Sequence, residues 1–281
     1  MNSPDAGHAA PCQTVGMSLL LAVDVGNTNI VLGVFDLANG PKSGLLHSWR
    51  LATSRERTVD EYGLSTLALL RHRGIEANDI HHVVISSVVP PLHPVLEGWS
   101  RTYFGVEPLW IEPGIKTGLK VLIDNPAELG ADRLVNAVAG IEKHGAPLIV
   151  VDFGTATTFD VVNAKKEYLG GLITPGLKIS AEALFQRASR LPRIEVTEPE
   201  RLVGRNTVQA MQSGLYFGYV GLVDGILERL LMEYPDSAIV ATGGLARIIA
   251  PPSKHIRIVE PDLTLEGLRL IWQRNQGRQG N

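Results

Sequence analysis

The chain has 281 residues, 44% of them hydrophobic and 20% charged, with a net charge of −3; this is an ordinary globular composition, long enough for one large domain or two smaller ones. A weakly acidic chain offers no electrostatic footprint for nucleic acid and no polybasic membrane face. The single cysteine, Cys12, excludes a disulfide framework and a thiolate metal site, and no apolar run approaches the roughly 18 residues that span a bilayer.

Residues 1–16 are rich in Ser, Pro, Gly and Ala and lack the basic and apolar regions of a signal peptide. They read as a floppy extension, with Met17 as an alternative start, and the cytoplasm is the expected compartment. Leu19 to Asp24 is a short apolar run, hence a buried strand. Gly26-Asn27-Thr28-Asn29 is turn chemistry, and Ile30 to Phe35 reads as a strand returning on the first. His47 to Leu51 is a third strand. Thr58-Val59-Asp60-Glu61 is a capping box, which predicts a helix from there to about Arg73. Val83 to Ser87 is a strand, and helical pattern returns from Pro94 to Tyr103. His81-His82, just before that strand, reads as a solvated turn and not a metal site.

A second cycle follows Gly130. Ala131 to Lys143 reads as a helix, Leu148 to Asp152 as a buried strand, Thr157 to Val162 as its return and Tyr168 to Ile173 as a third strand. Helices are expected over Gly176 to Ala188 and Asn206 to Glu233, a strand over Ala238 to Ala241, and a last helix over Leu263 to Gln273. Ala241-Thr242-Gly243-Gly244 reads as a turn into a helix or as a surface facing an adenine or ribose.

Each cycle opens with an apolar strand ending in Asp, then x-Gly, then Thr, then a returning strand. The copies are Asp24-Val25-Gly26-Asn27-Thr28 and Asp152-Phe153-Gly154-Thr155-Ala156-Thr157, 128 residues apart. Strands alternating with helices in both halves predict an α/β architecture of two similar domains, 17–128 and 129–281, with a cleft between them. A glycine turn lets a ligand approach the backbone, and successive N–H groups around it form an anion-binding concavity. Asn27, Thr28, Thr155, Thr157 and Thr158 add neutral donors, and each Asp supplies a hard oxygen for Mg²⁺ or a monovalent cation. The competing G-x-x-x-x-G-K-[ST] loop and strand-linked G-x-G-x-x-G are absent from the sequence.

Four segments occur in order: Asp24-x-Gly-Asn-Thr-Asn29, Gly130-Ala131-Asp132-Arg133, Asp152-Phe-Gly-Thr-Ala-Thr-Thr158 and Gly170-Gly-Leu-Ile-Thr-Pro-Gly176. Together they resemble the type III pantothenate kinases, of the acetate and sugar kinase/actin-like ATPase superfamily, from about Met17 to Gln273. The resemblance implies duplicated ribonuclease-H-like domains, and phosphorylation of pantothenate by ATP as the first step toward coenzyme A. It implies that Asp24, Val25, Gly26, Asn27, Thr28, Asn29, Ile30 and Val31 form the first ATP hairpin and that Thr155 contacts ATP. It makes Asp132 the general base, and Ile123, Gly130, Ala131, Asp132, Arg133 and Thr207 the pantothenate site. Asp152 becomes the ligand of a monovalent cation, potassium or ammonium, beside Mg²⁺. Homodimers are implied, with no nucleic acid or membrane partner.

The residues alone leave alternatives open. Asp132 reads equally as a cap of the helix that follows, Thr207 as a residue near a helix start, and Arg133 as a carboxylate fork or a surface ion pair. Ile123 stands where the family often has Tyr, which removes an aromatic or hydroxyl contact from the pocket. Gly214, Gly218 and Gly221 form a small-residue stripe suited to internal packing or to a dimer face. Another small-metabolite kinase, or a regulatory protein that kept the fold, remains an alternative function; the presence of Asp24, Asp132 and Asp152 argues against the latter.

Overall fold

A computed structural model describes residues 18–38 and 44–276; the extension at 1–16, with Cys12, lies outside them. In chain order the elements are β1 (Leu19–Val25), β2 (Asn29–Asp36), β3 (Leu45–Ala52), α1 (Val59–Arg71), β4 (Ile80–Ser87), α2 (His93–Phe104), β5 (Leu109–Trp110), β6 (Lys120–Val121) and α3 (Ala131–His144). There follow β7 (Leu148–Phe153), β8 (Ala156–Val162), β9 (Glu167–Pro175), α4 (Leu177–Arg187), α5 (Thr207–Glu233), β10 (Ala238–Thr242), α6 (Ala246–Ile249), β11 (Ile258–Val259) and α7 (Leu263–Asn275).

Two mixed sheets repeat one topology. The first has the order β3-β2-β1-β4-β5, and the second has β9-β8-β7-β10-β11 with β6 added beyond β9. In each, the opening strand runs antiparallel to its hairpin partner (β1 with β2, β7 with β8) and parallel to the next strand inward (β4, β10). The internal repeat is thus a repeat of structure, and the fold is a duplicated ribonuclease-H-like α/β arrangement.

β1 is buried on both faces, which explains its unbroken apolar sequence. Leu19, Leu21, Val23 and Val25 pack with Tyr62, Leu70, Leu96 and Trp99 of α1 and α2. Leu20 and Ala22 face the other way, onto Val135 and Val138 of α3 and Leu265, Leu268 and Ile271 of α7. In β7, Ile149, Val151 and Phe153 pack under α5, whereas Leu148 and Val150 join Ala137 and Ala139 of α3. Helix α3 is therefore held between the two sheets. Side chains alternate along a strand, so Asp24 and Asp152 both emerge on the α3 side.

The start of α1 is the expected capping box: Glu61 N–H donates to Thr58 Oγ, and Thr58 N–H donates to the Glu61 carboxylate at 2.8 Å. His81 and His82 lie within β4 and not in a turn, because the strand starts at Ile80; His82 is half-buried with its ring 4.8 Å from that of Trp272. The chain crosses between the halves twice: β6, which precedes residue 128, pairs with β9 of the second sheet, and α7, near the end of the chain, returns to cover the first.

Candidate functional site

Both Gly-turn hairpins sit at the carboxyl ends of their opening strands, and each turn is tied to the end of the third strand. Thr53 N–H donates to Thr28 O at 3.0 Å, and its hydroxyl donates to Gly26 O at 2.7 Å. In the second half, Gly176 N–H donates to Thr155 O at 3.2 Å. The turns face each other, and the Thr28 and Thr155 hydroxyls are hydrogen-bonded at 2.8 Å across 127 positions of sequence.

Between them lies a cavity of about 540 Å³. Asp24, Gly26, Asn27, Thr28, Asn29, Val31, Asp132, Asp152 and Thr155 all line it. Val25 and Ile30 do not; alternation turns their side chains into the core. Ile123, Gly130, Ala131, Arg133 and Thr207 do not line it either. Ile123 is partly buried against the second sheet, and Thr207 is exposed at the first turn of α5 behind its cap Asn206.

Three carboxylates converge around the N-terminus of α3. Asp24 Oδ1 accepts a hydrogen bond from Ser86 Oγ at 2.7 Å. Asp152 Oδ2 accepts from Asn136 Nδ2 at 3.0 Å, and Thr264 Oγ donates to Asn136 Oδ1 at 2.8 Å, which fixes the amide as a donor. Asp132 Oδ1 accepts the Arg133 N–H at 2.8 Å and so satisfies one free amide of the first helical turn. Burial pushes the Asp24 carboxyl up to about 7, and the negative charge of Asp132 pushes the same way. Asp152 is likewise pushed up to about 7, by burial first and then by Asp132 and Asp24. Asp132 is raised mainly by burial. Burial is the cause common to all three, and the field of neighbouring carboxylates adds to it for Asp24 and Asp152.

Two glycines are required by this crowding. A Cβ on Gly130 would lie 2.5 Å from Asp132 Oδ1. One on Gly243, whose φ is +89°, would lie 2.7 Å from the backbone of Phe153 and closer still to Asp152 Oδ1. Thr242-Gly243-Gly244 is the turn leading from β10 toward α6, and it also forms a wall of the cavity.

Arg133 is held from below. Its Nε donates to Asp160 Oδ1 at 2.8 Å, Nη2 is 2.7 Å from the same oxygen, and Tyr168 OH donates to it at 2.5 Å. Asp160 is fully buried, so this guanidinium is largely committed to neutralising it.

Several lining residues were not legible in the sequence: Arg50, Lys178, Glu182, Pro261, Asp262, Thr264 and Leu265. Ser86 and Asn136 behind them were missed as well. Asn136 had a visible signal, as a polar residue inside the apolar run Leu134-Val135-Asn136-Ala137-Val138, one helical turn after Asp132.

A family model described as type III pantothenate kinase matches residues 20–229. The chain belongs to the type III pantothenate kinase family. A type III pantothenate kinase from Geobacter sulfurreducens is 57% identical over 259 residues, covering 92% of this chain and 100% of the relative. Another from Myxococcus xanthus is also 57% identical, covering 92% and 99%. Among solved structures, the activator of 2-hydroxyisocaproyl-CoA dehydratase from Clostridium difficile, with ADPNP bound, superposes with a TM-score of 0.55 at 13% identity, covering 92% of this chain and 96% of that one. At that identity the match speaks to the fold alone, which is the actin-like ATPase fold.

Proposed function

We propose that this chain transfers the terminal phosphoryl group of ATP to the primary hydroxyl of pantothenate, giving 4′-phosphopantothenate and ADP, with Asp132 as general base. The observation that supports this most is positional. Asp132, at the head of the helix between the sheets, shares one cavity with both phosphate-type hairpins. Phosphoryl transfer needs in-line positioning and charge neutralisation more than covalent chemistry. The hairpin amides and the Thr28 and Thr155 hydroxyls would hold phosphate oxygens, while Asp132 orients the acceptor hydroxyl and takes its proton. A carboxyl raised above its usual range is a stronger base near neutral pH.

The site suits cations. Among the described residues no group of three or more His, Cys, Asp or Glu is arranged to hold a metal by itself. Mg²⁺ at a nucleotide ordinarily takes one or two carboxylates together with phosphate and water oxygens, and Asp24 and Asp152 are hard-oxygen donors whose direct hydrogen-bond partners, Ser86 and Asn136, are neutral. Asp24 would serve Mg²⁺ and Asp152 the monovalent cation; such ions neutralise triphosphate charge. Gly130, Ala131, Arg133, Thr207 and Ile123 lie outside the nucleotide cavity and form the pantothenate side of this proposal.

The working unit in this proposal is a cytoplasmic homodimer. No helix among the described residues is long and apolar enough to cross a membrane. A Cβ added at Gly214, Gly218 or Gly221 would meet nothing within 4 Å, so this stripe of α5 is not packed inside the monomer. Phe217 and Leu222 are exposed on the same helix. A monomeric mass by light scattering at assay concentration would contradict the dimer.

The activity is checked by coupled ADP release with pantothenate, Mg²⁺ and ATP, in potassium, ammonium or sodium salts. Pantothenate-dependent ADP release, faster with potassium or ammonium than with sodium, is the expected result. No such release in any salt sinks the reading; equal rates remove the cation role of Asp152.

A further inference from the structure

We propose that Arg50 is a nucleotide-phosphate contact, whose guanidinium reaches from the first sheet to the Gly243-Gly244 turn of the second and grips the phosphate chain of ATP. The inference rests on the kinase reading above and adds to it a binding residue outside the four family segments.

Across the first sheet, strand register aligns Ser86, Asp24, Val31 and Arg50 in one row. Across the second, the equivalent row is Thr242, Asp152, Thr158 and Ile173. Cross-strand neighbours share a face, so Arg50 and Ile173 occupy equivalent places in the two halves. The Arg lines the cavity, whereas the Ile is 64% exposed and does not. The symmetric scaffold thus bears a cation on one side only, and it faces the nucleotide cavity.

Its surroundings show what it lacks. A Cβ on Gly244 would lie 3.1 Å from Arg50 Nη1, so the guanidinium closes over that turn. Among the described residues the Arg50 side chain makes no hydrogen bond and no close ion pair; its charge acts on Asp24 only at longer range, and Asp24 takes its hydrogen bond from Ser86. The cavity already holds three carboxylates, and ATP brings several more negative charges. The phosphate hairpins contain no lysine. The other cation on the wall is Lys178, which shares that wall with Glu182 one helical turn further along α4. Arg50 has no acidic neighbour on its own strand, and its planar fork matches two phosphate oxygens at once.

The test is calorimetric titration of Mg·ATP and of adenosine, without pantothenate, into wild type, Arg50→Ala and Arg50→Lys, each with a thermal melt to confirm folding. Arg50→Ala should weaken ATP about 10- to 100-fold, as expected for loss of charge-assisted hydrogen bonds. Adenosine should be unaffected, Arg50→Lys should fall between, and ATP affinity should become less sensitive to salt. ATP binding within twofold of wild type in folded Arg50→Ala overturns the inference, as does an equal loss of ATP and adenosine affinity. Wild type that fails to bind ATP overturns the kinase reading and this inference together. Wild type that binds ATP through Arg50 but does not phosphorylate pantothenate overturns only the acceptor.

Discussion

Asp132→Asn should lower the turnover of pantothenate by 10²- to 10⁴-fold, the range typical of a lost general base, with little change in ATP affinity. The substitution is nearly isosteric. An asparagine Oδ1 still accepts the Arg133 amide that Asp132 accepts at 2.8 Å, so the first turn of α3 keeps its partner. What is lost is the ability to take a proton at a point facing both hairpins. The pH profile separates this from simple damage. In wild type, kcat should fall on the acid side as Asp132 becomes protonated, and burial places that limb above the pH of an ordinary aspartate. In Asp132→Asn the residual rate should lose that limb. The readout is coupled ADP release at saturating pantothenate; near-normal kcat would reassign Asp132 to a purely structural place at the helix start.

The cavity around Asp132 shows where sequence sufficed and where it did not. The strand-turn-strand units of Asp24 and Asp152 were legible because they are local: an apolar run, a glycine turn and a return. The long helices were legible through their caps and period, as in the buried series Tyr216, Tyr219, Val223, Leu227 and Leu230 of α5. The two-residue strands β5, β6 and β11 were not, because each exists only through pairing with a distant partner. Arg50 was missed for a related reason. In Leu45–Ala52 it is one more exposed residue of an alternating strand, and only its register beside Val31 and the approach of Gly244 from the other sheet give it a function. The Arg133–Asp160–Tyr168 network was hidden likewise, since Asp160 within β8 sends no signal until β9 brings Tyr168 to it. Local chemistry was readable; chemistry assembled across sheets was not.

Asp24→Asn should stabilise the ligand-free protein at pH 8 and abolish most of its activity. In the unfolded chain this carboxyl titrates near 3.8; in the folded protein burial, with Asp132 adding to it, pushes it up to about 7. Well below pH 3.8 both states are protonated and the group contributes nothing. As pH rises from 4 to 7 the unfolded chain releases its proton while the folded protein retains it, so folded stability is lost across that window and stays lost above it. One such group destabilises by at most about 4 kcal/mol, and less where Asp152 shares the same field. The asparagine keeps an acceptor for Ser86 Oγ and removes the charge. The apo melting temperature of Asp24→Asn at pH 8 should therefore exceed that of wild type by several degrees, with a difference less than half as large at pH 5. Equal melting temperatures at pH 8 would show that water or rearrangement relieves the cluster. Adding Mg·ATP and potassium should narrow the gap, because bound cations stabilise the ionised carboxylates that wild type retains and the variant lacks. On the proposed cation roles, the instability of the empty site would be the counterpart of cation binding, a trade of stability for activity seated in three aspartates at the head of one helix.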